Sequence, residues 1–290
     1  MPSTLPAIAV LHYNKIRLTC ACLDSLLFNN VSPERIYCLD NGSKPSVYRQ
    51  LTESYPGMHH VRLESNRGFS GGFNSILSHV FSKGHRTCLF LTNDTIFHAE
   101  ADRQLADILE VHSAGLAAPC IRYLSQPNSI DSLGAFFDAR TVSLNHYHQI
   151  DLPPLLQPEK DYIPGTALAI TSQAFKILNG TDERFHTYWE DVDLCFRAAG
   201  IGIRMARCPK ARIDHGVGRT CHKKPFYTTW LFQRNRLLFC RRHLQGDDLH
   251  HAEMVIRSDW RKMHEKSLER VDSTRLAYMM KLFDLLNTQP

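Results

Sequence analysis

The chain has 290 residues, 34 Lys and Arg against 29 Asp and Glu, a formal net charge of +5 and 43% hydrophobic residues. That composition excludes a disordered chain and supports a sizeable core. No apolar run reaches membrane-spanning length and no charged-then-apolar leader opens the chain, so a cytoplasmic protein is expected. The nine cysteines show no paired CxxC spacing. Cys38, Cys88 and Cys195 lie in apolar periodic segments and read as buried thiols.

In chain order, Ala7 to Leu11 is strand-like and ends at His12-Tyr13-Asn14. A helix follows with Leu18, Cys22 and Leu26 on one face. Arg35 to Leu39 predicts a second strand, closed by the turn Asp40-Asn41-Gly42-Ser43, and His60 to Leu63 a third. Asn66-Arg67-Gly68-Phe69-Ser70-Gly71-Gly72-Phe73-Asn74 then opens a helix whose face is Phe73, Ile76, Leu77, Val80 and Phe81. Thr87 to Leu91 is a fourth strand ending in Thr92-Asn93-Asp94-Thr95. A helix from about Ala99 to His112 leads to a fifth strand, Leu116 to Ile121. Such alternation predicts an α/β fold with a mostly parallel central sheet and helices on both faces. The polar residues Asn14, Asp40, Asn66 and Asp94 collect at C-terminal strand ends, the edge where open α/β sheets bind ligands.

From Tyr123 to Ile163 the alternation fails, and irregular structure with a hairpin is expected. Gly165 to Phe175 reads as a strand running into a short helix. Arg204 to Arg212 and Ile213-Asp214-His215-Gly216 return to strand and loop. Pro225 opens a helix with Tyr227, Trp230, Leu231, Arg234 and Leu238 in register, and further helices finish the chain. The expected division is a catalytic domain over 1–222 and a C-terminal helical extension over 223–290.

The densest chemistry lies in Tyr188-Trp189-Glu190-Asp191-Val192-Asp193, three carboxylates in four residues. Val192, Cys195, Phe196 and Ala199 continue it as a helix, stopped by Gly200 and Gly202. Thr187 and Glu190 have the spacing of a capping box. The acids fall in the first turn, where the helix dipole favours an ionised carboxylate able to take a proton from a hydroxyl. Acids in a first turn more often serve the helix alone. The glycine-rich loop Gly68, Gly71, Gly72 suits either a phosphate nest or a tightly packed start of a helix. It fits neither a dinucleotide fingerprint nor a P-loop, since the first strand-helix turn lacks glycine and no Walker lysine follows Gly72. Asp94 offers a hard oxygen ligand and His215 an imidazole, each weak by itself.

Taken in order, these pieces resemble an inverting family 2 glycosyltransferase of the GT-A fold, in its rhamnosyltransferase-like branch. The likeness runs from about Ala7 to Arg242. It rests on Val10-Leu11-His12-Tyr13-Asn14, Leu39-Asp40-Asn41-Gly42-Ser43, the segment Asn66 to Asn74, Leu91-Thr92-Asn93-Asp94, Trp189 to Leu194 with Arg197, and His215. The resemblance implies that Tyr13, Asn14 and Asp40 hold a nucleoside, with Asn66, Gly68, Gly71, Asn93 and Asp94 beside a nucleotide sugar. It implies Asp94 and His215 as ligands of a divalent cation, Mg²⁺ or Mn²⁺. Asp191 is implied as the base, with Glu190 beside it, and Trp189 and Arg234 near the acceptor and the diphosphate. The metal motif departs from the two-acid pattern: Thr92-Asn93-Asp94 keeps one acid, which puts metal dependence in question.

The expected activity is transfer of a sugar, rhamnose among the candidates, from a nucleoside-diphosphate sugar to a hydroxyl of a glycan or lipid-linked glycan in bacterial surface polysaccharide synthesis. A non-catalytic nucleotide- or glycan-binding protein on the same fold is the second reading. From Arg204 to Arg242 there are eleven Lys or Arg and one acid, Asp214. This run suits a diphosphate, an acidic acceptor or an anionic membrane surface at the inner face of the cell membrane. In that reading Leu231, Leu238 and Trp230 pack the helix down, while Arg234, Arg236, Arg241 and Arg242 face the anionic partner. No nucleic-acid partner is expected, because no nucleic-acid motif accompanies the basic run.

Overall fold

The computed structural model describes residues 5–216, 225–269 and 277–285, the last without 279 and 283. The elements are β1 (Ala7–His12), α1 (Ile16–Phe28), β2 (Ile36–Asp40), α2 (Pro45–Ser54), β3 (His59–Arg62), α3 (Gly68–Ser82), β4 (Thr87–Thr92) and β5 (Thr95–Phe97). There follow α4 (Ala101–Val111), β6 (Leu116–Tyr123), β7 (Gln126–Ser132), β8 (Ala135–Asp138), β9 (Ser143–His146), β10 (Asp161–Tyr162), β11 (Ala167–Thr171) and α5 (Ser172–Leu178). Last come α6 (Glu190–Gly200), β12 (Met205–His215), α7 (Pro225–His243) and α8 (Gly246–Glu269).

The main sheet runs β3-β2-β1-β4-β11-β6-β12-β5, with β7 alongside β6. β1 to β4 pair in parallel. Every residue of β2 is buried, as are all but one of β1, as expected for a parallel sheet covered on both faces. On one face lies the cluster containing Leu23, Leu26, Leu51, Leu105 and Leu109 of α1, α2 and α4. On the other lies the cluster containing Phe73, Val192, Leu237 and Trp260 of α3, α6, α7 and α8. Each such side chain, fully buried, contributes about 1.5–3 kcal/mol of transfer free energy.

The fifth predicted strand forms as β6, and the order of strands in the sheet is not their order in the chain. β6 does not lie beside β4; β11 lies between them, antiparallel to both. An antiparallel partner needs no crossover helix, so the chain can wander from 124 to 166 and return into the gap. That excursion forms a small antiparallel sheet, β10-β8-β9, where a hairpin in irregular structure was expected. The register of β12 slips between Cys208 and Arg212, around Pro209, which has no amide hydrogen to donate to the ladder.

Parallel register fixes which strand ends are neighbours. His12 is level with Asp40, Asp40 with Arg62, and Leu11 with Thr92. At ~4.8 Å per strand, the ends of β3, β2, β1 and β4 form a row spanning about 14 Å. The segments carrying Asn66, Asp40, Tyr13 and Asp94 therefore leave the sheet side by side.

Candidate active site

Short side-chain ties knit the loops of that row together. Asn14 takes a left-handed conformation, φ 54°. Its amide donates to Ser43 Oγ (2.8 Å) and its Oδ1 accepts from the Lys44 amide (3.0 Å). The Ser43 amide donates to Asp40 Oδ1 (3.2 Å). Asn41, buried, spans the next gap: Nδ2 donates to Gly68 O (2.8 Å), and Oδ1 accepts from the Arg67 amide (3.0 Å). Gly42, at φ 76°, lets β2's loop lie against β3's, since a Cβ there would be 2.4 Å from Ser65 C. Tyr13 stays exposed at the rim. Beneath it, His12 Nε2 and Asp40 Oδ2 are buried without hydrogen-bond partners among the described residues. Burial pushes the His12 imidazole below its ordinary value, against the pull of the Asp40 carboxylate.

Asn93 turns inward, its Nδ2 donating to Thr19 Oγ1 (2.9 Å) on α1. It braces the loop and does not face the edge. The glycine-rich segment also differs from the nest reading. The amide of Gly68 donates to Asn66 Oδ1 (2.7 Å), that of Phe69 to Thr187 Oγ1 (3.2 Å) and that of Ser70 to His186 O (3.1 Å). These first-turn donors of α3 are engaged by protein. The glycines instead allow close packing: a Cβ on Gly68 would lie 2.3 Å from His186 O, one on Gly71 2.5 Å from Arg67 Cβ, and one on Gly72 2.6 Å from Leu11 Cδ1.

The contacts of Phe69 and Ser70 bring in the acidic helix. The segment before α6 has three left-handed residues, His186 (φ 63°), Tyr188 (φ 75°) and Trp189 (φ 70°). The expected capping box does not form, because those turns carry Thr187 away from the helix and toward Phe69. The residue before the first turn is Trp189, which makes no side-chain cap. Trp189 is 1% exposed and packs on Phe239, ring centroids 5.2 Å apart. It is a core residue here, not the acceptor contact expected of it. Glu190 is buried, and its Oε2 has no partner among the described residues. Burial, with the neighbouring Asp191 charge, raises its carboxyl well above the usual range, so desolvation outweighs the helix dipole at that position. Asp193 is fully buried and bonded to Arg197 (2.8 Å) and His243 (2.9 Å), a structural knot.

Asp191 alone of the three carboxylates is partly exposed. Its Oδ2 accepts from the Gly165 amide (2.8 Å) and its Oδ1 from the Val192 amide (2.9 Å). Gly165 precedes Thr166, whose carbonyl accepts from the Thr92 amide (3.0 Å). Asp191 is thereby fixed next to the end of β4. Burial raises its carboxyl above the ordinary value, against the lowering effect of those amides, which moves it toward the range useful to a base at neutral pH.

Asp94 and His215 meet at the same edge. Asp94 Oδ1 accepts from Thr92 Oγ1 (2.7 Å) and lies 3.8 Å from His215 Nε2. The other ring nitrogen, Nδ1, faces Asp131 Oδ2 at 3.2 Å. Burial works against the charged imidazole, but the bonds and charges of Asp131 and Asp94 outweigh it and raise His215 to about 9. Among the described residues no group of three or more His, Cys, Asp or Glu is arranged to hold a metal ion. One carboxylate and one imidazole fit a divalent cation whose other positions are filled by phosphate oxygens and water. Its binding would displace the Nε2 proton.

The basic run near the C-terminus is largely spent inside the protein, contrary to expectation. Arg234 Nη2 donates to the carbonyls of Arg184 and Phe185. Arg236, 5% exposed, bonds Val142 O (2.7 Å) and Asp259 (2.9 Å). Arg241 pairs with Glu253 (2.7 Å) and Arg242 with Asp182 (2.5 Å). Long helical arginines find acids on neighbouring elements that sequence spacing does not reveal. Arg219, Lys223 and Lys224 lie outside the described residues.

Sequence reasoning missed the connecting role of Asn41, which it quoted only as part of a motif. It also missed Asp131, hidden in the stretch read as irregular, and Asn235. The left-handed Tyr188 and Trp189 carried no sequence signal, as neither is Gly, Asn or Asp.

A profile described as "Glycosyl transferase family 2" matches residues 7–176. An N-acetylglucosaminyl-diphospho-decaprenol L-rhamnosyltransferase of Mycobacterium tuberculosis is 24% identical, over 94% of this chain and 99% of the relative. A low-salt glycan biosynthesis hexosyltransferase of Haloferax volcanii is 23% identical, over 73% of this chain and 69% of the relative. Among solved structures, a mannosyltransferase of Pyrobaculum calidifontis in complex with GDP-Man and Mn²⁺ aligns with TM-score 0.56 and 14% identity. It covers 97% of this chain and 88% of that one. S. aureus TarS in complex with UDP aligns with TM-score 0.54 and 14% identity, over 86% of this chain and 68% of that one.

Proposed function

The chain belongs to glycosyl transferase family 2, is a glycosyltransferase of the GT-A fold, and we propose from this premise that it moves a hexose from a nucleoside-diphosphate sugar to an acceptor hydroxyl with inversion. The observation that carries the reading is the convergence of two sets of residues on one sheet edge: Tyr13, Asp40 and Asp94 from the parallel strands, and Asp191 delivered beside β4 through Gly165. The nucleoside lies over Tyr13 and the end of β2, where Asp40 is buried and holds the Ser43 amide from beneath, and the diphosphate lies toward Asp94 and His215.

Asp191 accepts the proton of the acceptor hydroxyl. The freed oxygen attacks the anomeric carbon from the face opposite the diphosphate. The bond from that carbon to the diphosphate oxygen breaks, and the nucleoside diphosphate leaves with the electron pair. The transition state has oxocarbenium character. A divalent cation held by Asp94 and His215 would neutralise charge on the departing diphosphate. Without it, the imidazolium of His215 supplies part of that charge.

The relative of similar length in Mycobacterium tuberculosis, named as a rhamnosyltransferase acting on a diphospho-decaprenol, supports rhamnose as the first sugar to test and a lipid-linked glycan as the acceptor. No helix among the described residues is long and apolar enough to cross a membrane, so such an acceptor would be met at a membrane surface. We place the catalytic domain over 1–222 with 223–290 as a helical extension that completes its core, since Leu237, Phe239 and Cys240 share one cluster with Trp189 and Phe196.

The test is a thermal-shift screen over nucleoside diphosphates and their sugars with and without Mn²⁺, followed by transfer and hydrolysis assays. A ligand bound only by the folded state raises the melting temperature. Asp94→Ala should abolish the cation-dependent part of that rise, and His215→Ala should weaken it less. Full activity of Asp94→Ala in EDTA would refute a metal role for this carboxylate. Donor binding with neither transfer nor hydrolysis would favour a binding-only protein.

A further inference from the structure

The segment that precedes α6 is the most strained stretch near the proposed base. Three of its four residues from His186 to Trp189 are non-glycine residues in the left-handed region. Each such residue is strained and persists only where its surroundings hold it. The carbonyls of His186 and Trp189 accept from amides of α3 and α6, while those of Phe185, Thr187 and Tyr188 lie outside helices and strands and need donors.

Asn235 of α7 supplies them. Its side chain is fully buried. Nδ2 donates to the carbonyls of Phe185 (2.7 Å), Thr187 (2.8 Å) and Tyr188 (2.7 Å). Two hydrogens thus serve three acceptors, one of them shared. Oδ1 accepts from Arg234 Nε (2.8 Å), which fixes the amide's orientation. Two turns further along the same face of α7, Arg242 and His243 bond Asp193 Oδ1 at 3.2 Å and 2.9 Å. The helix therefore grips the chain on both sides of Asp191, at the carbonyl of Tyr188 and at the carboxylate of Asp193.

We infer that Asn235 is a positioning residue for the transfer reaction, clamping the left-handed turn before α6 so that Asp191 meets the acceptor hydroxyl in reactive geometry. The inference rests on the reading of Asp191 as the base. Asn235 touches no substrate and acts through Asp191. A leucine of similar shape at 235 removes both donors: the Phe185 carbonyl keeps the Thr187 amide and Arg234 Nη2, while those of Thr187 and Tyr188 lose their bonds to Asn235. The turn then relaxes and the carboxylate shifts, and a displacement of about 1 Å can cost on the order of a hundredfold in rate.

The experiment is a double-mutant cycle on the full-length enzyme with kcat and donor KM read separately. Asn235→Leu should lower kcat about tenfold to a hundredfold and leave donor KM within about twofold, since the donor edge is held by other ties. In the Asp191→Asn background the same change should cost little further, because the group it positions is already gone. Equal losses in both backgrounds would overturn the inference and leave Asn235 a structural residue, as would an unchanged kcat. If Asn235→Leu fails to fold, Asn235→Gln, which keeps the amide on one more methylene, goes through the same cycle and decides in the same way. Full turnover of Asp191→Asn by itself would remove the base reading. Additive losses on a slow but active Asp191→Asn would remove only the role of Asn235.

Discussion

The half of the molecule proposed to hold the donor, residues 7–97, and the half proposed to face the acceptor, residues 126–216 and 225–243, hold their loops in different ways. In the first, parallel strands satisfy their own backbone, and the loops at their ends are tied by short neighbours such as Asn14, Ser43 and Asn41. In the second, long irregular segments leave carbonyls that no ladder serves, and buried side chains from far along the chain serve them. Arg207, 3% exposed, donates to the carbonyls of Leu133, Pro153 and Leu155. Arg236 does so for Thr141 and Val142, and Asn235 for the turn before α6. Regular secondary structure carries its own hydrogen bonds; a half built from excursions needs donors delivered into its interior. The acceptor half should accordingly be more fragile toward loss of a single polar side chain.

The largest effect should come from Asp161→Ala. Asp161 is the charge partner of buried Arg207, 2.6 Å away, and also accepts from Tyr147 Oη (2.9 Å). Removing it strands a buried cation and should cost about 3–5 kcal/mol, read from urea unfolding. A loss under about 1 kcal/mol, the surface-pair scale, would break the contrast between the halves.

Next is Asp191→Asn, which should lower turnover on the order of a hundredfold, the scale of a lost general base. Its melting temperature and donor binding should stay near wild type, because the amide oxygen can still accept from Gly165. Normal turnover would require another base.

Gly42→Ala probes the donor half. A left-handed alanine costs about 1–2 kcal/mol, and its Cβ would press on the backbone of Ser65 and Asn66. The effect should appear as a raised donor KM with kcat little changed. An unchanged KM with a lowered kcat would show that the two edges are not separable.

The smallest effect, and the one that depends on pH, belongs to Glu190→Gln. A carboxyl raised by burial binds its proton more tightly folded than unfolded. Its contribution is therefore fully present below the unfolded value, about 4.3, and is lost as pH rises toward the folded one. Gln stays neutral throughout. The variant should match wild type at pH 4 and become relatively more stable as pH rises, seen in parallel thermal melts. A stability gap independent of pH would show that Glu190 is ionised in the folded protein.

The sequence by itself determined the first four strands, the helices between them and the row of polar residues at their ends, because period-two and period-3.6 patterns and Asn-Gly turns are local signals. It also pointed to the acidic helix and to His215. Only the tertiary structure decided that β11 enters antiparallel between β4 and β6, that Thr187 binds Phe69 and not the helix it precedes, and that Glu190 is buried while Asp191 is left partly exposed. It alone showed that Arg236, Arg241 and Arg242 are paired within the protein. These outcomes rest on contacts between residues 12 to 118 positions apart. Local propensity carries no record of such partners, and burial, which ranks the acids of α6, is a property of the whole packed core.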